Sequence, residues 1–410
     1  MTDTPPRVLI VAPLYHTDRG GLGRQAVLLT ERLAELGAKP LVATRAMTGL
    51  PPRAFSPKVE RAELSAGRPE THNYEETSLL NLATSLRFSA RLLALMARRR
   101  GDYDVIHVHG ASLPFLIALP AAKLLRRRIV GKVAALHQGV EAGDLAGHYG
   151  PLGRVLAWIA SRSDAFVATT AEIGAALGAE GVPLDRIARI PNFVDTRRFH
   201  PADRPLRDEL RRERGWEDRT VLIHSGRLSE RKNGDILLKA FARASRAVPD
   251  ANALLVFAGD GPQRTRLEAL SKELDLQDRV AFAGFQNAIE RELQAADLLV
   301  LASRVEGLPN ALLEGMACGL PAVVTRIGGS LEAAIEGETA LFVPANEEDA
   351  LATALQEALA DPALRTRLGA AAKQRIQARF TLDAVAPHYL ELYRRLSERR
   401  PPAGASLAKE

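Results

Sequence analysis

Short aliphatic runs alternate with amphipathic stretches along almost the whole chain, and the spacing of the two sets the fold class. Residues 7–12, R-V-L-I-V-A, are a short run with β-branched residues, which predicts a strand. A polar loop follows, then apolar positions at helical spacing over residues 22–36, ending at Gly37. Further strands are predicted at residues 39–44, 105–108, 129–136, 165–169 and 187–190, with a helix over 79–96 among the intervening patterns. Strand, helix, strand in that order predicts a parallel sheet. Residues 51–73, rich in proline, glycine and charge, read as a loop excursion.

A second series begins after residues 191–214, a stretch dense in proline, aspartate and arginine that reads as the connection between domains. Its strands are predicted at 221–225, 254–258, 280–283, 298–302 and 321–325, with helices at 236–244 and 264–273 between them. Two successive α/β series predict two doubly wound domains facing each other, with a ligand cleft outside the carboxyl ends of the strands. Helices over 348–360 and 362–379 follow. Phe380-Thr381 opens a last helical segment in which Val385, Tyr389, Leu392 and Leu396 recur at three- and four-residue spacing, and Pro387 predicts a kink or a late start. The expected division is a first domain over 1–200, a second over 201–379, a terminal helix over 380–398 and a disordered tail over 399–410.

With 46% hydrophobic and 25% charged residues over 410 positions, the chain has side chains enough for two cores and is not read as disordered. The single cysteine, Cys318, excludes an intramolecular disulfide and a cysteine metal cluster, and its small, apolar neighbours mark a buried thiol rather than a nucleophile. Nothing resembles a signal peptide and no apolar run reaches transmembrane length, so the expected location is cytoplasmic. A net charge of +6 suits a polyanion or an anionic surface such as the inner face of the plasma membrane. Arg98-Arg99-Arg100 and Arg126-Arg127-Arg128 each follow a helical pattern, however, where cations complement helix C-termini. The favoured reading of these clusters is structural; peripheral contact with an anionic membrane stays open, and nucleic acid is not expected as a partner.

Gly21-Leu22-Gly23-Arg24-Gln25-Ala26 fits the dinucleotide pattern G-x-G-x-x-A by letter only. Eight residues separate Ala12 from Gly21, whereas that fingerprint turns directly at the strand end, and Arg45 stands where an NAD ribose wants an acid. An NADP oxidoreductase is therefore a minor alternative. Gly20, Gly21 and Gly23 are better explained as letting backbone N–H groups approach an anionic or hydroxylated ligand at a helix N-terminus.

The second series carries the more specific chemistry. In S-G-R-L-S-E-R-K-N, residues 225–233, a strand ends and a helix is about to start. There Arg227 can chelate phosphoryl oxygens and Lys232 can place a compact charge on the same group, which fits a nucleoside diphosphate and its departure as a leaving group. E-G-L-P-N-A-L-L-E, residues 306–314, puts Glu306 in a loop after a strand and Glu314 inside a helix whose first turn holds Pro309. Carboxylates suit sugar hydroxyls rather than phosphates. One can grip a transferred sugar and the other a ribose, with the backbone of Gly307, Leu308, Pro309 and Asn310 covering the ligand between them.

Together these motifs resemble the retaining glycosyltransferases of family 4, over nearly the whole chain and most strongly over residues 221–343. Glu306 and Glu314 correspond to the family's E-x7-E pair, and Arg227 and Lys232 to its diphosphate-binding pair. A-C-G-L-P-A-V-V-T, G-G-S-L-E and G-D-G-P look like its neighbouring hallmarks. G-G-L-G-R is similar to its glycine-rich loop, with Gly21 and Gly23 near the donor phosphate and Arg24 on the acceptor side. His137, in A-A-L-H-Q-G, falls where the family has a histidine near the transferred sugar. His107 and His109, in I-H-V-H-G, are read as alternating across a strand so that one faces the cleft, His109 being preferred because Gly110 follows it.

The resemblance implies a GT-B fold: two Rossmann-like doubly wound domains facing across a cleft, with a C-terminal helix crossing back to the first. The first domain would be the acceptor side and the second would hold the nucleotide-sugar donor. The implied reaction is hexosyl transfer with retention, from a nucleoside-diphosphate sugar to a hydroxyl of a glycan, lipid-linked or small-molecule acceptor, in cell-surface polysaccharide or glycoconjugate biosynthesis. Arg227, Lys232, Glu306 and His137 would form the catalytic set. No cofactor and no metal is expected, since Asp102-Tyr103-Asp104, formally a D-x-D, precedes a strand instead of following one. A GT-B nucleotide-sugar epimerase would share the two domains and the diphosphate site, and a non-catalytic polyanion- or membrane-binding protein would use the arginine clusters; both readings stay open.

Overall fold

The computed structural model describes residues 5–15, 21–46, 56–65, 79–110, 112–134 and 158–398. The chain divides into two compact units, one of Met1–Pro191 with Asp383–Glu410 and one of Asn192–Leu382. The first unit holds a seven-stranded sheet of β1 (Arg7–Val11), β2 (Lys39–Arg45), β3 (Glu60–Leu64), β4 (Val105–His109), β5 (Arg128–Val133), β6 (Ala165–Ala168) and β7 (Ile187–Arg189). All its pairings are parallel, in the order β3-β2-β1-β4-β5-β6-β7. Helices α1 (Gly21–Glu35), α2 (Leu79–Arg98), α3 (Leu113–Leu124) and α4 (Ala171–Ala179) connect or flank the strands. On one face Leu9, Val11, Ile106, Val108 and Ile129 pack with Phe88 and Leu92 of α2 and Phe115 and Leu119 of α3. Helix α1 stops where Gly37 turns to φ +89°, which lets the N–H of Ala38 return to the carbonyl of Leu33 at 2.9 Å.

The second unit repeats the plan with β8 (Thr220–Ser225), β9 (Ala253–Ala258), β10 (Val280–Gly284), β11 (Leu298–Leu301), β12 (Ala322–Thr325) and β13 (Ala340–Val343). Its six strands are parallel in the order β10-β9-β8-β11-β12-β13. The helices are α5 (Arg204–Arg214), α6 (Gly234–Ala247), α7 (Arg264–Glu273), α8 (Ile289–Ala295), α9 (Asn310–Ala317), α10 (Gly328–Ala333), α11 (Glu348–Ala360) and α12 (Pro362–Arg379). Alternate strand residues face opposite layers: Leu222, Leu255 and Val300 pack with Leu237, Phe241 and Leu355, while Ile223, Val256 and Leu299 pack with Leu210, Leu293 and Met316.

Three expectations need correction. Residues 60–64 are not loop but the edge strand β3, in which Leu64 alone is buried, so no apolar run announced it. The stretch taken as a domain connection contains α5, started by the Asp203 side chain accepting the N–H of Leu206 at 3.0 Å and ended by Gly215 at φ 66°. That helix is almost wholly charged and buries only Leu210 and Arg211, which hid it. The final helix, α13 (Leu382–Glu398), begins at Leu382 and runs through Pro387, so there is no late start.

Helix α13 belongs to the first unit. Arg32 of α1 pairs with Asp383 at 2.9 Å, and the hydroxyl of Tyr393 lies 2.6 Å from Nδ1 of His107 on β4. His107 and His109 do not fall on opposite sides of the strand: residues two apart share a face, and their rings are centred 4.4 Å from one another. Both are buried. Burial, with the Lys132 ammonium nearby, pushes His107 down to about 3, and burial, His107 and Lys132 hold His109 well below the ordinary histidine value. Among the described residues no helix is long and apolar enough to cross a membrane.

A histidine held neutral in the folded state takes up a proton only on unfolding, so its contribution is intact above about pH 6.5 and fades as the pH falls below that. Between pH 7.5 and pH 5 the loss amounts to about 2 kcal/mol for an imidazole as depressed as His107. His107→Gln, which keeps a polar group for Tyr393 and titrates nothing, is expected to remove that much of the acid sensitivity in denaturant unfolding at the two pH values. An unchanged acid loss would mean that His107 is not buried neutral.

Candidate functional site

Each sheet reverses its strand order once, between β1 and β4 and between β8 and β11. At such a switch point the loops leaving the carboxyl ends of adjacent strands diverge and leave room for a ligand. In the second unit those loops carry Arg227 and Lys232 after β8 and Glu306 after β11.

The backbone fixes both loops before any side chain acts. Gly226, at φ +144°, donates its N–H to Ala258, and Leu228 donates to the carbonyl of Asp260 at 2.9 Å. This seats the loop on the G-D-G-P turn. A Cβ on Gly259 would stand 1.8 Å from the Gly226 carbonyl oxygen, and one on Gly261 would stand 2.4 Å from that of Leu228. Arg304 then fastens the two loops together: its N–H donates to the carbonyl of Arg231 at 2.8 Å and its Nε to Asn233 Oδ1 at 2.7 Å. On the far side the carbonyl of Ser303 accepts from Thr325 Oγ1 at 2.6 Å, and that of Leu308 accepts from Asn192 Nδ2 at 3.0 Å. The Gly307 carbonyl presses on α10 so closely that a Cβ on Gly329 would lie 1.3 Å from its oxygen.

Held this way, Lys232 Nζ donates directly to Glu306 Oε1. The same oxygen accepts from Ser303 Oγ at 2.9 Å, and Arg231 Nη1 lies 3.6 Å from Oε2. The Lys232 and Glu306 side chains each keep 10% of their surface exposed. Burial alone would push the Glu306 carboxyl up, but Lys232, Arg231 and the Ser303 hydroxyl together hold it below the ordinary carboxylate value, so it is an anion at neutral pH. Behind the pair His224 is fully buried, its Nδ1 3.2 Å from the Val300 carbonyl. Burial and the Lys232 charge push it down to about 4, so the imidazole is neutral.

The remaining expected residues fall as follows. Arg227 is half-buried in the β8 loop. Pro309 caps α9 instead of sitting in its first turn, and Asn310 is the first helical residue. Glu314 is buried within α9, on a helix drawn so close to the sheet that a Cβ on Gly315 would meet Leu299 at 2.8 Å. Cys318 is buried, and burial with the Glu314 and Glu290 charges raises its thiol, which stays protonated. In the first unit Gly21 opens α1, exposed, with Gly23 buried and Arg24 half-buried behind it. His109 closes β4 before Gly110, which turns at φ +90°. Gly20 and His137 lie outside the described residues.

The D-x-D acids are framework: Asp104 binds Arg7 at 2.7 Å and Asp102 binds Arg99. Among the described residues no group of three or more histidine, cysteine, aspartate or glutamate side chains is placed to hold a metal ion. Sequence reasoning passed over Ser303, Arg231, His224 and Asn192. The first two had a signal, since Ser303 stands three residues before Glu306 and Arg231 adjoins Lys232.

Residues 19–198 match the family described as Glycosyltransferase Family 4, and residues 207–375 match Glycosyl transferases group 1. The GDP-mannose-dependent alpha-(1-6)-phosphatidylinositol monomannoside mannosyltransferase of Mycolicibacterium smegmatis is 32% identical over 295 residues, 68% of this chain and 73% of that protein. The chain belongs to glycosyltransferase family 4. The N-acetyl-alpha-D-glucosaminyl L-malate synthase of Bacillus anthracis is 27% identical over 380 residues, covering 91% of this chain and 93% of its own. The solved structure of HepE from Anabaena with UDP-glucose superposes with a TM-score of 0.76 at 20% identity, over 95% of this chain and 99% of that one. The fold of this family 4 enzyme is thus GT-B, with two parallel-sheet units and a terminal helix returned to the first. It transfers a sugar from a nucleoside-diphosphate sugar to an acceptor.

The backbone contact between Gly307 and Gly329 leaves no space for a methyl group. Gly329→Ala is expected to cost about 3 kcal/mol or more by displacing the 303–309 loop. It should lower the melting temperature and donor affinity together; a variant of unchanged stability and affinity would contradict this account of the loop.

Proposed function

We propose that the second unit holds the donor with Arg227 and Lys232 on its diphosphate, Glu306 on hydroxyls of the transferred hexose and Glu314 on the ribose. The backbone of Gly307, Leu308, Pro309 and Asn310 lies along the ligand. The observation that carries this reading is the contact of Lys232 with Glu306 at the carboxyl ends of β8 and β11, which puts a phosphate-binding cation within one hydrogen bond of a hydroxyl-binding anion. A nucleotide sugar has those two chemistries side by side.

Transfer proceeds with retention. The bond from the anomeric carbon to the phosphate oxygen breaks, its electron pair staying on the phosphate, as the acceptor hydroxyl bonds the same face of that carbon. The departing phosphate oxygen takes the acceptor's proton, and Arg227 and Lys232 stabilise the charge on the diphosphate. The first unit supplies the acceptor side, with Arg24, His109 and His137 as acceptor-side or sugar-contacting groups, and its Gly21 and Gly23 at the start of α1 serve the donor phosphate. The acceptor is a hydroxyl of a glycan, a lipid-linked sugar or a small molecule of cell-surface glycoconjugate synthesis, at the inner face of the plasma membrane. Helix α2 favours peripheral contact there, since Leu82 and Leu86 are exposed beside the exposed Arg87 and Arg91.

Thermal shift with UDP-, GDP- and ADP-sugars selects the donor, and labelled donor without acceptor should return unepimerised. Arg227→Ala and Lys232→Ala are each expected to lower kcat/KM for that donor by about 10²- to 10³-fold. Full turnover and unchanged donor affinity in the double variant would refute the diphosphate assignment.

A further inference from the structure

Lys232 and Glu306 are the two groups that the proposed reading sends to different parts of the donor, yet in the structure they bind one another. The contact is built in. Arg231 and Asn233, on either side of Lys232, are both tied to Arg304, which stands two residues before Glu306. The ammonium also rests against the end of β8, since a Cβ on Gly226 would come within 3.5 Å of Nζ. A diphosphate arriving at Lys232 therefore meets a cation already engaged by a carboxylate and must compete for it.

What differs is the support each partner keeps when they separate. Glu306 retains Ser303 Oγ at 2.9 Å on one oxygen and Arg231 at 3.6 Å from the other. Ser303 is itself fully buried, its carbonyl fixed by Thr325. The carboxylate can thus stay ionised and oriented while Lys232 turns to phosphate, provided sugar hydroxyls occupy the position the ammonium leaves. A bare nucleoside diphosphate brings no hydroxyls to that position. It would leave Glu306 with Ser303 and Arg231 alone beside a second anion, a juxtaposition that weakens binding.

We infer that Glu306 is the competitor from which a diphosphate must take Lys232, with Ser303 and Arg231 as the positioning residues that hold the freed carboxylate, so that the site favours a sugar-bearing donor over the bare diphosphate left after transfer. This rests on the assignment of Lys232 to the diphosphate. After the sugar has gone, Glu306 recovers Lys232 and the product leaves.

The test is a double-mutant cycle on binding, which needs no turnover, with UDP, GDP and ADP as probes and the tightest of the three carried forward. Calorimetry should give Glu306→Gln an affinity for that bare diphosphate about five- to tenfold above wild type, and Lys232→Ala an affinity at least tenfold below it. Lys232→Ala/Glu306→Gln should exceed Lys232→Ala by no more than about twofold, because without the lysine only the repulsion between Glu306 and the diphosphate is left to relieve. A gain of the same size with the lysine absent means simple repulsion and overturns the exchange, as does no gain in Glu306→Gln. Lys232→Ala binding as well as wild type overturns instead the diphosphate assignment beneath it. For the positioning role, Ser303→Ala at unchanged melting temperature should raise KM for the nucleotide sugar several-fold with little change in bare-diphosphate affinity, and Ser303→Thr should restore it. Equal loss for both ligands would make Ser303 merely structural.

Discussion

A cation and an anion that each show only a tenth of their side-chain surface to water have to be held together, since burying either alone costs about 3–5 kcal/mol. That requirement organises the second unit. The loops after β8 and β11 are joined by Arg304, backed on one side by the turn at Gly259 and on the other by α10 at Gly329, each at a distance where no side chain fits. The parallel topology supplies the place, because only between β8 and β11 do two adjacent strands send their connections to opposite layers. Sheet order, glycine positions and charge pairing are therefore one constraint seen at three scales.

Several of the described arginines are engaged by acids or carbonyls of the fold itself. Arg99 pairs with Glu60 at 2.7 Å, Arg128 with Asp164 at 2.9 Å, and Arg127 caps the carbonyl of Arg100 with its guanidinium over Tyr103. Arg211 and Arg375 likewise donate to main-chain carbonyls at the ends of elements, those of Ala295 and Trp216 for the first and of Glu332 for the second. A planar fork with several donors suits that task better than an ammonium does. Where a cation sits in the fold therefore says more about its task than the net charge does.

Both sheets were legible because their central strands are buried on both faces and so appear as unbroken apolar runs, as in Ala253–Ala258. The end of α1 was legible because Gly37 marks it. What escaped was whatever folds without an apolar signature: β3 at a sheet edge, and α5, whose interior-facing arginine reads as surface until its carbonyl partners are known. Of the candidate site residues, Arg227, Lys232, Glu306 and Glu314 stood out by charge and spacing, and Lys232 and Glu306 are brought together. His224 did not, because a buried histidine looks the same in sequence whether it lies behind a charged pair or against a neighbouring strand.

The histidines of β4 carry a related lesson. His107 and His109 looked like candidates for opposite roles, yet period-two geometry sets them on one face, where His107 meets Tyr393 of the returning helix. A buried polar contact of this kind contributes little net stability. It does fix register, since a helix slid by one turn would leave the His107 nitrogen and the Tyr393 hydroxyl unpaired in the interior, at a cost of about 1–3 kcal/mol for each group. Apolar residues such as Val385 and Leu396 hold α13 down, and the His107–Tyr393 bond decides where along β4 it is held. The chain's last helix is thereby placed by a pair 286 residues apart in sequence, which no local pattern could have announced.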